Sequence, residues 1–133
     1  MKKMVFAAAL AIGFSAHGFG HEGHSHEASA VAAPHGGSLR DAGELKGEVV
    51  ITGDTIKLYV YDKHLKPLVL DKKELTGEVQ FPKEKKKPIT LKKNGDVYEA
   101  TVKGISKTHR YDLHINVDNA GKTTLVDFGL DNI

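Results

Sequence analysis

His21, His24 and His26 stand within six residues of one another, with Glu22 and Glu27 among and beside them. Neutral imidazole is a borderline ligand that suits Zn(II), Cu(II), Ni(II) and Co(II). Three such rings on a short polar stretch can wrap one divalent ion, with Glu22 and Glu27 as weaker donors. Were His21 the first residue of the mature chain, its α-amine would add a further nitrogen. Ligands bind deprotonated, so capture weakens as pH falls through the ordinary histidine pKa of about 6.5. The competing reading is a solvated tail whose histidines are incidental.

Four more histidines follow. His35 precedes Gly36 and Gly37, and paired glycines open backbone conformations closed to other residues. His35 is therefore a candidate ligand alongside His21, His24 and His26, and an exposed turn is its alternative. His109 and His114 are weaker candidates. On an alternating strand His114 faces outward with Asp112 and Asn116 at i±2. An imidazole beside a carboxylate there is either a second metal half-site or a solvated sheet face. His64 lies between Lys63 and Lys66, whose charge opposes a cation.

Much chemistry is excluded. Cysteine is absent, so there are no disulfides, thiolate metal sites, thiol nucleophiles or iron–sulfur clusters. The start of the chain reads as a secretory signal peptide over residues 1–20. Lys2 and Lys3 precede the apolar stretch 5–14, and small residues run to Gly20. About ten apolar residues are too few for a membrane span, which needs about 20. Cleavage after Gly20 places Gly18 and Gly20 at −3 and −1 and implies a periplasmic protein with no membrane span. It also removes Met1 and Met4, leaving no sulfur ligand for Cu(I). The 19 basic residues lose Lys2 and Lys3 and then match the 17 acidic ones. A neutral chain has no electrostatic case for nucleic acid. No phosphate loop, HExxH or GxSxG is present, and Ser38 and Ser106 are the only serines beyond residue 35. The chain does not read as an enzyme.

These side chains need a scaffold. Residues 21–34, small and polar, predict a flexible histidine-rich tail. Residues 35–133 predict one domain with period-two patterning. A first strand carries Leu39 and Leu45 and ends over residues 48–51, before the turn signal of Gly53 and Asp54. In TIKLYVYD, residues 55–62, Ile56, Leu58 and Val60 face one way and Lys57, Tyr59 and Tyr61 the other. Residues 68–70 predict a further short strand, and residues 71–75 at most one helical turn. Leu75, Gly77, Val79 and Phe81 share a face. Lys83, Lys85, Lys86 and Lys87, bracketed by Pro82 and Pro88, suit a loop or an edge strand that resists aggregation. A short strand over residues 89–91 leads to the hairpin signal of Asn94, Gly95 and Asp96. Tyr98, Ala100 and Val102 mark the return. Tyr111, Leu113, Ile115 and Val117, and then Val126, Phe128 and Leu130, mark two last strands joined by a turn at Asn119, Ala120 and Gly121. The expected class is all-β: an antiparallel β-sandwich, immunoglobulin-like, of seven or eight short strands, with a small β-barrel as the alternative.

Pro34, His35, Gly36 and Gly37, then Glu48, then Val60, Tyr61, Asp62, Lys66, Pro67 and Leu68 follow the pattern of a known periplasmic domain. The stretch resembles a small β-domain associated with heavy-metal efflux adaptors of the resistance–nodulation–division type. By motif it covers roughly a third of the chain after residue 20, and the adaptor's helical hairpin and lipoyl-like halves are missing. The resemblance implies a periplasmic accessory domain that binds or hands over a divalent metal, with an efflux adaptor or other envelope protein as partner. It identifies no ligand except that His35 falls on a matching position. The expected function is a divalent-metal buffer or delivery protein, for Zn(II), Cu(II), Ni(II) or Co(II). The alternative is an envelope protein–protein interaction module without metal.

Overall fold

Alternating side chains can bury one face of a strand, and the buried faces here are the ones the period-two pattern selects. The computed structural model describes residues 31–131. The chain separates into units Met1–Val31 and Ala32–Ile133, and the described strands belong to the second. The expected signal segment 1–20, the expected tail over residues 21–30 and the candidates His21, Glu22, His24, His26 and Glu27 lie outside the described residues.

Eight strands occur among the described residues: β1 (Ser38–Ala42), β2 (Leu45–Thr52), β3 (Thr55–Asp62), β4 (Glu74–Gln80), β5 (Lys87–Asn94), β6 (Val97–Thr101), β7 (Arg110–Asn119) and β8 (Lys122–Asp131). All pair antiparallel in one sheet of order β1-β2-β3-β6-β5-β4-β7-β8. The end strands β1 and β8 lie against each other. The sheet thus curls into a nearly closed barrel, which is the second of the two all-β arrangements expected.

Ile56, Leu58, Leu75, Val79, Leu91, Leu113, Ile115, Val117, Val126 and Phe128 fill the interior and are buried. Each large aliphatic or aromatic chain contributes about 1.5–3 kcal/mol on burial. Gly47 also points inward from β2. A Cβ there would lie 3.1 Å from Val126 Cγ1 and 3.2 Å from Phe128 Cζ, so the missing side chain is what lets β2 approach β8.

Four local expectations change. The first strand is a hairpin, β1 and β2, turning at Gly43 with φ 63°. Residues 68–70 form no strand and 71–75 no helical turn; the short 3-10 turn falls at Ile105–Lys107. The β3–β4 connection is instead held by a local turn at its start and by distant partners at its end. Asp62 Oδ1 accepts the N–H groups of His64 at 2.8 Å and Lys66 at 2.9 Å. Tyr98 donates its hydroxyl to Lys72 O at 2.5 Å, and Leu70 inserts into the core. The strand at 89–91 is longer, since Pro88 and Lys87 already belong to β5.

Candidate functional site

On β2 the inward residues are Leu45, Gly47 and Val49, so Glu48 faces outward, paired with Leu39 of β1 and Tyr59 of β3. An outward glutamate is ordinarily solvated. Glu48 is instead fully buried, the only buried charged residue among those described. Its cover is the segment of residues 34–37, which crosses the outer face as a strap before β1 begins.

The strap is built around that carboxylate. Gly36 N–H donates to Ala33 O at 3.0 Å, and Gly36 takes φ 71°, closing a tight turn. The turn aims two backbone N–H groups at Glu48. His35 N lies 3.0 Å from Oε2 and 3.2 Å from Oε1, and Gly37 N lies 2.9 Å from Oε2. Gly37 has no room for a side chain, since a Cβ would sit 2.3 Å from Val49 O. Such a concavity of backbone N–H groups favours an anion. Tyr61, outward on β3, completes the cradle by donating its hydroxyl to Oε1 at 2.8 Å.

The ring of His35 lies on this cradle. Its Nδ1 is 3.1 Å from Glu48 Oε1 and 2.8 Å from Tyr61 Oη. The ring stacks on Tyr59 with centroids 3.7 Å apart and planes 11° apart. The His35 side chain still exposes 45% of its surface. The Nδ1 edge of the imidazole is therefore anchored and one face is covered by Tyr59, while nearly half of the side chain stays open to solvent.

Burial alone would push the Glu48 carboxyl up. The hydrogen bonds from Gly37 N–H, the Tyr61 hydroxyl, the His35 ring and the His35 N–H outweigh it, and the net shift is downward. Burial raises the Tyr61 phenol well above its usual range, with the hydrogen bond to Glu48 and its charge adding to the rise. The carboxylate oxygens are occupied by donors, so Glu48 is poorly placed to act as a free base or an outer ligand. Its position suits holding the strap and the His35 ring.

The other sequence candidates are scattered. His114 faces outward on β7, but its carboxylate neighbour is Asp127 across the β7–β8 ladder, bonded to Nδ1, rather than Asp112 or Asn116 along the strand. Glu78 of β4 is its register partner on the other side. His109 is exposed just before β7. Five residues of extended chain separate it from His114, roughly 16 Å at strand rise, and the two do not converge. His64 sits in the β3–β4 connection. Among the described residues no group of three His, Asp or Glu side chains is placed to hold a metal, so His35 stands as a single donor there.

Neither Glu48 nor Tyr61 stands out as a site residue by type or spacing alone. A signal existed in the hairpin count. With Thr52 opposite Thr55 across the Gly53 turn, Glu48 must fall opposite Tyr59, which sets a carboxylate among outward aromatic rings. Compared with known proteins, the chain matches no family model, no curated protein and no solved structure.

Proposed function

We propose that this is a periplasmic accessory protein that binds a divalent transition metal, Zn(II), Cu(II), Ni(II) or Co(II), as a buffer or for delivery to an efflux system. The observation that carries the reading is His35 anchored through Nδ1 over a buried carboxylate while its side chain stays 45% exposed. Metal-ligating histidines almost always give their second ring nitrogen to a carboxylate, carbonyl or water, which orients the ring and raises its basicity. An incidental surface histidine needs no such support, and here the support uses the only buried charge among the described residues. The other imidazoles in support are His21, His24 and His26. The metal is cargo in this reading, and the protein does no catalysis.

The partner is the less constrained half of the proposal. Its support is the resemblance to domains of efflux adaptors, carried by residues that include His35, Glu48 and Tyr61. Those three side chains are in mutual contact.

Calorimetric titration of the purified protein with Zn(II) and Cu(II) tests the reading. It is compared with His35→Ala and with His21, His24 and His26 replaced together by alanine. Binding weakened by both changes supports it. No binding by the unaltered protein removes the metal and leaves an interaction module in its place.

A further inference from the structure

The hydrogen-bond network around His35 Nδ1 decides which nitrogen of that ring meets a metal. Oε2 of Glu48 faces two backbone N–H groups, those of His35 at 3.0 Å and Gly37 at 2.9 Å. Neither can accept, so that oxygen carries no proton. Oε1 receives a third N–H contact from His35 at 3.2 Å, along with Tyr61 Oη at 2.8 Å and His35 Nδ1 at 3.1 Å. A carboxylate surrounded this way is an acceptor only. The single hydroxyl proton of Tyr61 then points to Oε1, and the phenol oxygen turns a lone pair toward Nδ1 at 2.8 Å. Nδ1 faces two acceptors, Tyr61 Oη and Glu48 Oε1, and must supply the proton to both. A neutral imidazole protonated at Nδ1 holds its free lone pair on Nε2.

We propose that Glu48 and Tyr61 are positioning residues that fix His35 as the Nδ1–H tautomer, so that Nε2 is the atom offered to a divalent metal. Stacking on Tyr59 at 3.7 Å holds the ring plane, and the two hydrogen bonds hold its rotation. The donor atom is thereby selected and aimed before the ion arrives. The ordering cost is met in folding rather than in binding. The consequence for binding rests on the proposed metal role, whereas the tautomer is a property of the metal-free protein.

The test has two arms on the purified full-length protein. Ring 15N shifts of His35 are recorded without metal, and Zn(II) affinity is measured by titration. The expected result is that the neutral ring carries its proton on Nδ1 and none on Nε2. Glu48→Gln is expected to mix the tautomers and weaken Zn(II) binding by about 10–100-fold. Tyr61→Phe keeps the direct contact to Oε1 and is expected to shift the tautomer balance with a smaller loss. It serves as the variant to read should Glu48→Gln not fold. A predominantly Nε2–H ring in the unaltered protein overturns the proposal with no variant needed. Affinity lost in His35→Ala but unchanged in folded Glu48→Gln and Tyr61→Phe overturns the positioning role while leaving the metal reading standing. Affinity unchanged in His35→Ala overturns Nε2 as donor, together with the part of the metal reading that His35 carries.

Discussion

The ring of His35 meets the carboxylate of Glu48 through Nδ1 at 3.1 Å, thirteen residues apart in sequence. The contact makes the strap and the barrel one hydrogen-bonded unit. A buried charge left unpaired costs several kcal/mol, so the strap and Glu48 depend on each other. Neither His35 nor Glu48 can be changed as a purely local event.

Glu48→Ala is therefore expected to destabilise the domain. It leaves the N–H groups of His35 and Gly37 and the hydroxyl of Tyr61 without their acceptor. Unsatisfied buried donors cost about 1–3 kcal/mol each, less where water reaches them. A net loss of about 2–4 kcal/mol is expected, a fall of at least about 8 °C in Tm for a domain of this size. Thermal unfolding by circular dichroism measures it. A Tm unchanged from the unaltered protein would mean the strap is not latched in solution.

Glu48 also sets an acid limb of stability. Its carboxyl is held below the ordinary value of 4.5 in the fold. Between the folded and unfolded pKa values the unfolded chain binds more protons, so stability rises with pH across that window. The contribution is complete above about pH 4.5 and is lost as pH falls through the depressed value. Tyr61 acts at the other end. Its raised phenol pKa means that ionisation of the unfolded chain near 10.0 draws stability away as pH rises further. Urea midpoints measured from pH 3 to 7 should fall on acidification. The slope should flatten in Glu48→Gln, and an unchanged slope in a folded variant would remove Glu48 from the acid limb.

The two strap glycines should fail differently. Gly36→Ala meets no atom within 4 Å and suffers only from φ 71°, a cost of about 1–2 kcal/mol. Gly37→Ala drives a Cβ to 2.3 Å from Val49 O and 2.8 Å from Val50 Cγ2. The backbone of β2 cannot yield without losing its ladder, so the strap must move and His35 leaves Tyr59. Gly37→Ala is expected to cut Zn(II) affinity as well as stability, and Gly36→Ala mainly stability. The pair is read by titration beside thermal unfolding, and equal effects on affinity would contradict the steric account.

Much of the barrel was legible because alternation is a local signal. Residues 55–62 form β3 as patterned, and the turn at Asn94, Gly95 and Asp96 joins β5 to β6 as its residue types require. The hairpin at Gly43 was hidden because Leu39 and Leu45 lie on either side of a two-residue turn that the apolar pattern runs across. The β3–β4 connection was illegible for a different reason. Its shape comes from Tyr98 and Lys93 reaching Lys72, Lys73 and Leu70, contacts about twenty or more positions away for which no local pattern exists. Closure into one sheet likewise depends on the non-sequential pairings β3–β6 and β4–β7. At the site, His35 was legible from its residue type and the glycines after it. Its bond to Glu48 was not, because that bond exists only once the turn at Gly36 folds the strap back over β2.

His35 and His114 make the sharpest comparison, since both place Nδ1 against a carboxylate. The partner of His114 is Asp127, whose side chain is 62% exposed, whereas that of Glu48 is fully buried. An exposed pair holds its geometry weakly and contributes about 0–1 kcal/mol. A buried carboxylate with several donors holds its ring far more rigidly. His35→Ala is therefore expected to lower Zn(II) affinity by at least about tenfold, the lower bound for losing even an outer-shell partner. His114→Ala should change affinity by less than about twofold and stability by less than about 1 kcal/mol. Titration of the two single variants and the double variant separates the sites. An affinity loss in His114→Ala as large as that in His35→Ala would move the metal to the β4–β7–β8 face, with Glu78 and Asp127 as the next residues to change.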